Sequence, residues 1–175
     1  PVFSAARDAR ARAVPQARGR VAAAVAGDPL TRTYNASMTS QAPTPGLTFT
    51  GERFVPGARG EIWVEHWHRY HFASRLAAGL RVVDAACGEG YGSALLAGVA
   101  AHVTGADISP LAIAHARAAY GSTGNLAFVE ASCDRLPLAD ASVDLFVSFE
   151  TVEHITAQEA FIDEAARVLK PGGIL

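Results

Sequence analysis

From Glu61 onward, hydrophobic and polar positions alternate between two rhythms, one helical and one extended. Apolar residues at Ile62, Trp63, Trp67, Tyr70, Ala73, Leu76 and Ala77 recur at near-helical spacing and predict a helix over Glu61–Ala78, closed by Gly79. Arg81–Ala86 is a short β-branched run and predicts a strand, Gly92–Ala101 a helix, and His102–Asp107 a second strand. Ser109 followed by Pro110 reads as an N-cap with proline at the first helical position, opening a helix to Tyr120. Asn125–Ala131 and Ser142–Phe149 predict two more strands, the latter apolar enough to be buried on both faces. Thr156-Ala-Gln-Glu159 predicts a capping box and a helix to Leu169, which Pro171-Gly172-Gly173 stops. Ile174-Leu175 reads as the first step of a fifth strand. Such alternation predicts an α/β chain with a doubly wound parallel sheet and helices on both faces, truncated at the start of strand five. A sheet left at four strands would expose the flank of a central strand, so the expectation is that residues are missing after Leu175.

Residues 1–46 have a different texture. They carry six Arg, two Asp and the prolines 15, 29, 43 and 45, with no broad apolar stripe. They are expected to be a disordered or non-native extension, followed by a lead-in and helix over 47–79 and a core over 80–175. The whole chain has 175 residues, of which 50% are hydrophobic and 18% charged, enough for one globular core and too apolar for a chain disordered throughout. Its longest apolar stretch, Ser93–Val103, falls short of the ~20 residues a membrane span needs. Two cysteines, Cys87 and Cys133, cannot build a disulfide framework and point to a reducing compartment, the cytoplasm. A net charge of −2 gives no general attraction to nucleic acid.

The strongest chemical signal is Val82-Val-Asp-Ala-Ala-Cys-Gly-Glu-Gly-Tyr-Gly92. A strand ends near Asp84, and glycines at 88, 90 and 92 let the backbone turn sharply and approach a ligand closely. Asp107 stands at the end of the next strand, where a carboxylate can accept two hydrogen bonds from a ribose diol. Together these residues predict a nucleoside site at the carboxyl ends of the first two strands. A dinucleotide site would want Gly-x-Gly-x-x-Gly, but the sixth position here is Ser93.

The pattern Asp84-x-Ala86-x-Gly88-x-Gly90 resembles motif I of the class I S-adenosylmethionine (SAM)-dependent methyltransferases, in their type 11-like group. Ala86 stands where that motif has its first glycine. The resemblance continues through Gly105-Ala-Asp-Ile-Ser109, Leu136–Asp144, Val147-Ser-Phe-Glu-Thr-Val-Glu-His154 and Leu169-Lys-Pro-Gly-Gly173. It implies a Rossmann-like fold, SAM as cofactor and S-adenosylhomocysteine (SAH) as product. Asp84 with Ala86, Cys87, Gly88 and Gly90 would hold the methionine end. Asp107 would bind the ribose, and Ile108 would pack on the adenine. Ser132, where many relatives have Asp, and Cys133 would read the adenine edge, and Phe149 would face the methyl-transfer cleft. The lead-in Thr50-Gly-Glu-Arg-Phe-Val-Pro56, followed by Glu65-His66-x-His68-Arg69-Tyr70, resembles bacterial methyltransferases found with surface-polysaccharide glycosyltransferases. It implies a small-molecule or glycan acceptor, with a glycosyltransferase as neighbour or fusion partner.

Glu150, Glu153 and His154 would share one face if helical from Glu150. His154 is assigned as general base, because an imidazole takes and releases protons near neutral pH. The two glutamates are assigned beside it at the catalytic cleft. A divalent metal held by Glu150, Glu153 and His154 is the minority reading; Glu-x-x-Glu-His resembles the metal site of certain 2′-O-methyltransferases and ubiquinone-pathway O-methyltransferases. The expected function is methyl transfer to a hydroxyl oxygen. The competing readings are a nicotinamide-dependent oxidoreductase and a non-catalytic SAM-binding domain.

Overall fold

The computed structural model describes residues 61–175 in backbone and 66–175 in side chains. The expected extension over 1–46 and most of the lead-in lie outside the described residues. Helix α1 (Glu61–Ala77) precedes β1 (Arg81–Ala85), α2 (Tyr91–Ala97), β2 (His102–Asp107), α3 (Pro110–Tyr120), β3 (Leu126–Glu130) and β4 (Val143–Val147). A 3-10 turn (Val152–His154), α4 (Gln158–Val168) and β5 (Leu169–Ile174) complete the described chain. The five strands lie in the order β3-β2-β1-β4-β5, and every neighbouring pair is parallel. The order reverses direction at β1, which is where a doubly wound sheet opens a crevice at its carboxyl ends.

Side-chain alternation along the strands divides the core in two. Val82, Val103, Leu145 and Val147 join Leu96, Ile113 and the α1 residues Tyr70, Ala73 and Ala77 on one face. Val83, Ala85, Ala106 and Phe146 join Phe161, Ala165 and Val168 of α4 on the other. On α1 the buried stripe is Tyr70, Ala73, Ser74 and Ala77, whereas Leu76, expected inside, is exposed together with Phe72. Trp67, also expected on the docking stripe, is only half-buried and stacks on His71, with centroids 4.8 Å apart.

Three sequence-based boundaries are corrected. Helix α2 ends at Ala97 rather than Ala101, because the chain must turn at Gly98 for Ala101 N–H to reach the Leu80 carbonyl (2.8 Å) and enter β2. The Thr156–Glu159 capping box does not form: Ala157 is the N-cap, without a side-chain bond. The Ala157 carbonyl accepts from Phe161 N–H (3.0 Å), and the Phe161 ring is fixed edge-to-face on Phe146. Pro171-Gly172-Gly173 does not separate helix from strand. Val143 pairs with Leu169 and Leu145 with Ile174, so β5 has already begun, and the surplus residues bulge out. Among the described strands β5 is an edge, where a proline without N–H is tolerated. It also covers the flank of β4 that the sequence reading left open.

Candidate functional site

The glycine turn is built on a buried polar floor. Asp84 is fully buried, and its carboxylate accepts from Ser93 Oγ (2.6 Å) and from the Tyr70 hydroxyl (3.1 and 3.3 Å). Burial pushes the Asp84 carboxyl up to about 7, against the opposing pull of those hydroxyl donors. Tyr70 brings α1 onto this floor. A Cβ at Gly92 would lie 2.1–2.4 Å from its ring, so only glycine lets the helix dock there. Gly90 combines φ +83° with a Cβ direction 2.7 Å from Ala116 and Phe128, so both space and backbone demand glycine.

Asp107 then ties the turn to β2. Its Oδ2 accepts from Gly88 N–H (2.8 Å), and its Oδ1 from Ser109 N–H (2.8 Å). Cys87 N–H donates to the Ala106 carbonyl (2.9 Å) beside it. Ala86 takes a left-handed φ of 62° where the resembled motif has glycine, a conformation costing a side-chain-bearing residue about 1–2 kcal/mol.

Above this turn lies a cleft of about 280 Å³. Ala86, Cys87, Gly88, Glu89 and Tyr91 line it from the turn, Asp107 and Ile108 from the end of β2, and Ala131, Ser132 and Cys133 from the segment after β3. Phe149, Glu150, Thr151, His154 and Ile155 close it after β4, and His66 and Tyr70 from α1. The structure thus brings together most of the residues expected at the cofactor. Asp84 and Gly90 lie beneath the turn and shape it, outside the cleft lining itself. Burial pushes the thiols of Cys87 and Cys133 up, which suits packing residues rather than nucleophiles.

The acid–histidine cluster is not the helical face expected. Glu150 has φ +52° and Thr151 φ −127°, so no helix starts at Glu150, and only a 3-10 turn over Val152–His154 forms. Glu150 pairs with Arg69 of α1 at 2.9 Å. His154 lines the cleft from an exposed position, while Glu153 is exposed and off the cleft. Among the described residues, no group of three His, Cys, Asp or Glu side chains is arranged to hold a metal ion. The minority metal reading therefore has no geometric support in this segment.

Sequence reasoning missed Glu89, Tyr91, Thr151 and Ile155. Glu89 and Tyr91 are the intervening positions of Gly88-x-Gly90-x-Gly92, so their place on the turn was visible, but only the turn's geometry shows that they face the ligand side. Glu89 is buried, with His115 Nε2 3.9 Å from its Oε2.

The fit to SAM rests on the carboxylate of Asp107. Each of its oxygens uses one lone pair on a backbone N–H, and a carboxylate offers about four acceptor sites, so capacity for a vicinal diol remains. A Cβ direction at Gly88 that meets nothing within 4 Å leaves room beside it for a ligand.

Comparisons with known proteins agree with this geometry. Residues 83–175 match the family described as "Methyltransferase domain". The chain is 44% identical over 137 residues to a probable S-adenosylmethionine-dependent methyltransferase of Mycolicibacterium smegmatis, covering 73% of this chain and 49% of that protein. It is 36% identical over 98 residues to a ubiquinone biosynthesis O-methyltransferase of Sinorhizobium fredii, covering 55% and 40%. Among solved structures, an S-adenosylmethionine-dependent methyltransferase from Mesorhizobium loti superposes with a TM-score of 0.52 at 31% identity, covering 58% of this chain and 49% of that one. The chain spans about half the length of the curated relatives it matches. With its parallel sheet, its glycine turn and its Asp107 clamp, the chain belongs to the methyltransferase-domain family, whose cofactor is SAM.

Proposed function

We propose that the chain carries the cofactor site of an enzyme that transfers a methyl group from SAM to a hydroxyl oxygen of a small-molecule or glycan acceptor. The observation that carries this reading is Asp107, which clamps Gly88 and Ser109 while keeping acceptor capacity toward the cleft. SAM supplies a methyl already activated as a sulfonium, so the protein's task is to orient it and manage a proton. Asp107 accepts from the ribose hydroxyls. Ile108 covers the adenine, and Ser132 with the Cys133 amide reads its edge. Phe149 and Glu150 stand at the methyl side of the cleft, and His154 accepts the acceptor's hydroxyl proton.

Oxygen as the methylated atom is supported by the similarity to ubiquinone biosynthesis O-methyltransferases. A glycan acceptor, with a glycosyltransferase working alongside, is supported by the lead-in segment Thr50–Tyr70. Cytoplasmic residence is supported by two buried free thiols.

The test has two stages. Titration of SAM and of nicotinamide dinucleotide into the chain should show binding of SAM alone; the opposite result would defeat the proposal. Transfer of labelled methyl from SAM is then measured on a panel of hydroxylated glycans and phenols. His154→Ala should lower kcat about 10²-fold while leaving the SAM Kd within about twofold. Chelator should leave turnover unchanged, and recovery only on adding back Mg²⁺, Mn²⁺ or Zn²⁺ would overturn the imidazole-base assignment.

A further inference from the structure

The loop between β3 and β4, residues 131–142, has no strand or helix of its own, so its anchors decide where it stands. Its first residues, Ala131, Ser132 and Cys133, line the cleft. Ala131 N–H donates to the Asp107 carbonyl (3.0 Å), and Arg135 N–H closes a turn on the Ser132 carbonyl (3.0 Å). The exit of that turn is held from α4, outside the cleft. Glu164 accepts from Leu136 N–H, and Arg167 Nη2 donates to the Leu136 carbonyl (3.1 Å), so one side-chain pair grips both backbone groups of one residue. Arg167 Nε and Nη2 fork onto the two oxygens of Glu164 (2.8 and 2.7 Å). Its Nη1 reaches the Leu138 carbonyl (2.8 Å) and Asp140 Oδ1 (2.6 Å). Every N–H of the guanidinium is thereby used, an arrangement that the point charge of a lysine cannot reproduce. The hydrogen bond from Arg167 holds the Glu164 carboxyl below the usual carboxylate range, so the pair stays charged at neutral pH. Leu136 and Cys133 are buried in the same cluster as Ala165 and Val168, which seats the turn on α4.

We propose that Glu164 and Arg167 are positioning residues that fix the Ser132–Arg135 turn from behind and so set how strictly the cleft selects adenine over a 6-oxopurine. The inference rests on the proposed reading of the adenine edge by Ser132 and the Cys133 amide. Adenine presents an N1 acceptor beside its 6-amino donor, whereas a 6-oxopurine presents an N1–H donor beside an oxygen. A hydroxyl rotates to suit either edge, but the Cys133 N–H is a donor only and faces N1–H with no bond to make. Against a turn that cannot move, that mismatch stays uncompensated and discrimination is large. A turn released at Leu136 shifts to meet either base, and discrimination shrinks even where folding survives. Selectivity is thus set by a pair that does not line the cleft.

The experiment is calorimetric titration of the 175-residue chain with SAH and with its analogue in which oxygen replaces the adenine amino group. The parent chain should favour SAH by about 10²-fold. Arg167→Lys and Glu164→Gln should each cut that ratio about tenfold, chiefly by weakening SAH. Lys170→Gln, which breaks the ion pair to Asp144 (2.7 Å) at the start of β5 without touching the turn, should leave the ratio unchanged. Melting curves verify that each variant is folded. Glu164→Gln, which keeps the side chain's shape, carries the test alone if Arg167→Lys does not fold. An unchanged ratio, or equal weakening of both ligands, would overturn the proposal and leave the pair as a fastener of α4. A parent chain that bound both ligands alike would overturn it too. A parent chain that bound neither SAM nor SAH would instead defeat the proposed function.

Discussion

The segment from Ala86 to Ser93 and the segment from Glu150 to Ile155 border one cleft, yet they are held in different ways. The first rests on buried bonds: Asp84 beneath it, Asp107 beside it, and glycines whose side-chain directions are already filled by Tyr70 and Phe128. The second is held by an ion pair to Arg69, a 3-10 turn and a bond from Gln158 Nε2 to the Val152 carbonyl (2.8 Å), all at partly or fully exposed positions. Exposed ion pairs contribute about 0–1 kcal/mol, whereas an unsatisfied buried carboxylate or a filled core position costs several times that. The glycine turn is therefore rigid in its residue requirements, and the segment after β4 is freer to change.

The sharpest way to break this contrast is Gly92→Ala. The new methyl would overlap the Tyr70 ring and push α1 off the turn, so denaturant unfolding should show a loss of about 3–5 kcal/mol. A Glu153→Gln change on the exposed segment should stay within about 0.5 kcal/mol. Equal effects from the two would remove the distinction.

A pH series sharpens it next. The Asp84 carboxyl, ordinarily near 3.8, titrates at about 7 in the folded chain, so the folded state keeps a proton that the unfolded state has released. Its contribution to stability is greatest below pH 4 and declines as pH rises toward 7, by on the order of 2–4 kcal/mol. The stability of the chain relative to Asp84→Asn should fall by that amount between pH 4 and pH 7.5 in paired melts. A constant difference would show that the floor is not the desolvated site described.

Asp107→Asn tests the clamp. It leaves the shape but weakens acceptance from Gly88, Ser109 and a ribose diol, and should raise the SAM Kd by the equivalent of about 1–3 kcal/mol. An unchanged Kd would mean that the carboxylate serves the turn alone. A gain rather than a loss is expected at Ala86→Gly, which relieves a left-handed alanine and should stabilise the chain by about 1 kcal/mol, a rise of a few degrees in Tm.

The glycine turn was legible because its signals are local. A glycine forced by φ, a strand-terminal carboxylate and a fixed spacing to the next strand are written within short windows of sequence. The segment after β4 was misread where a local rule met a tertiary demand. Glu150, Glu153 and His154 have helical spacing, but Glu150 takes a left-handed backbone and its side chain goes to Arg69, leaving Glu153 in solvent. Thr156 and Glu159 have capping-box spacing, but the anchored Phe161 sets the helix start at Ala157 instead.

The sequence by itself determined the order of strands and helices, the parallel doubly wound sheet, the turn at Gly88–Gly92 and the placing of Asp107 at the end of the next strand, since each depends on periodicity or on spacing within one strand–helix–strand unit. Tertiary structure alone decided that Asp84 is buried beneath the turn with Ser93 and Tyr70 as its partners, and that Tyr70, Tyr91 and Phe149 meet at one corner. It also decided that β5 begins at Leu169, with its surplus residues bulging against β4. These outcomes depend on which distant side chain claims a given volume or lone pair, and no short window of sequence contains both partners.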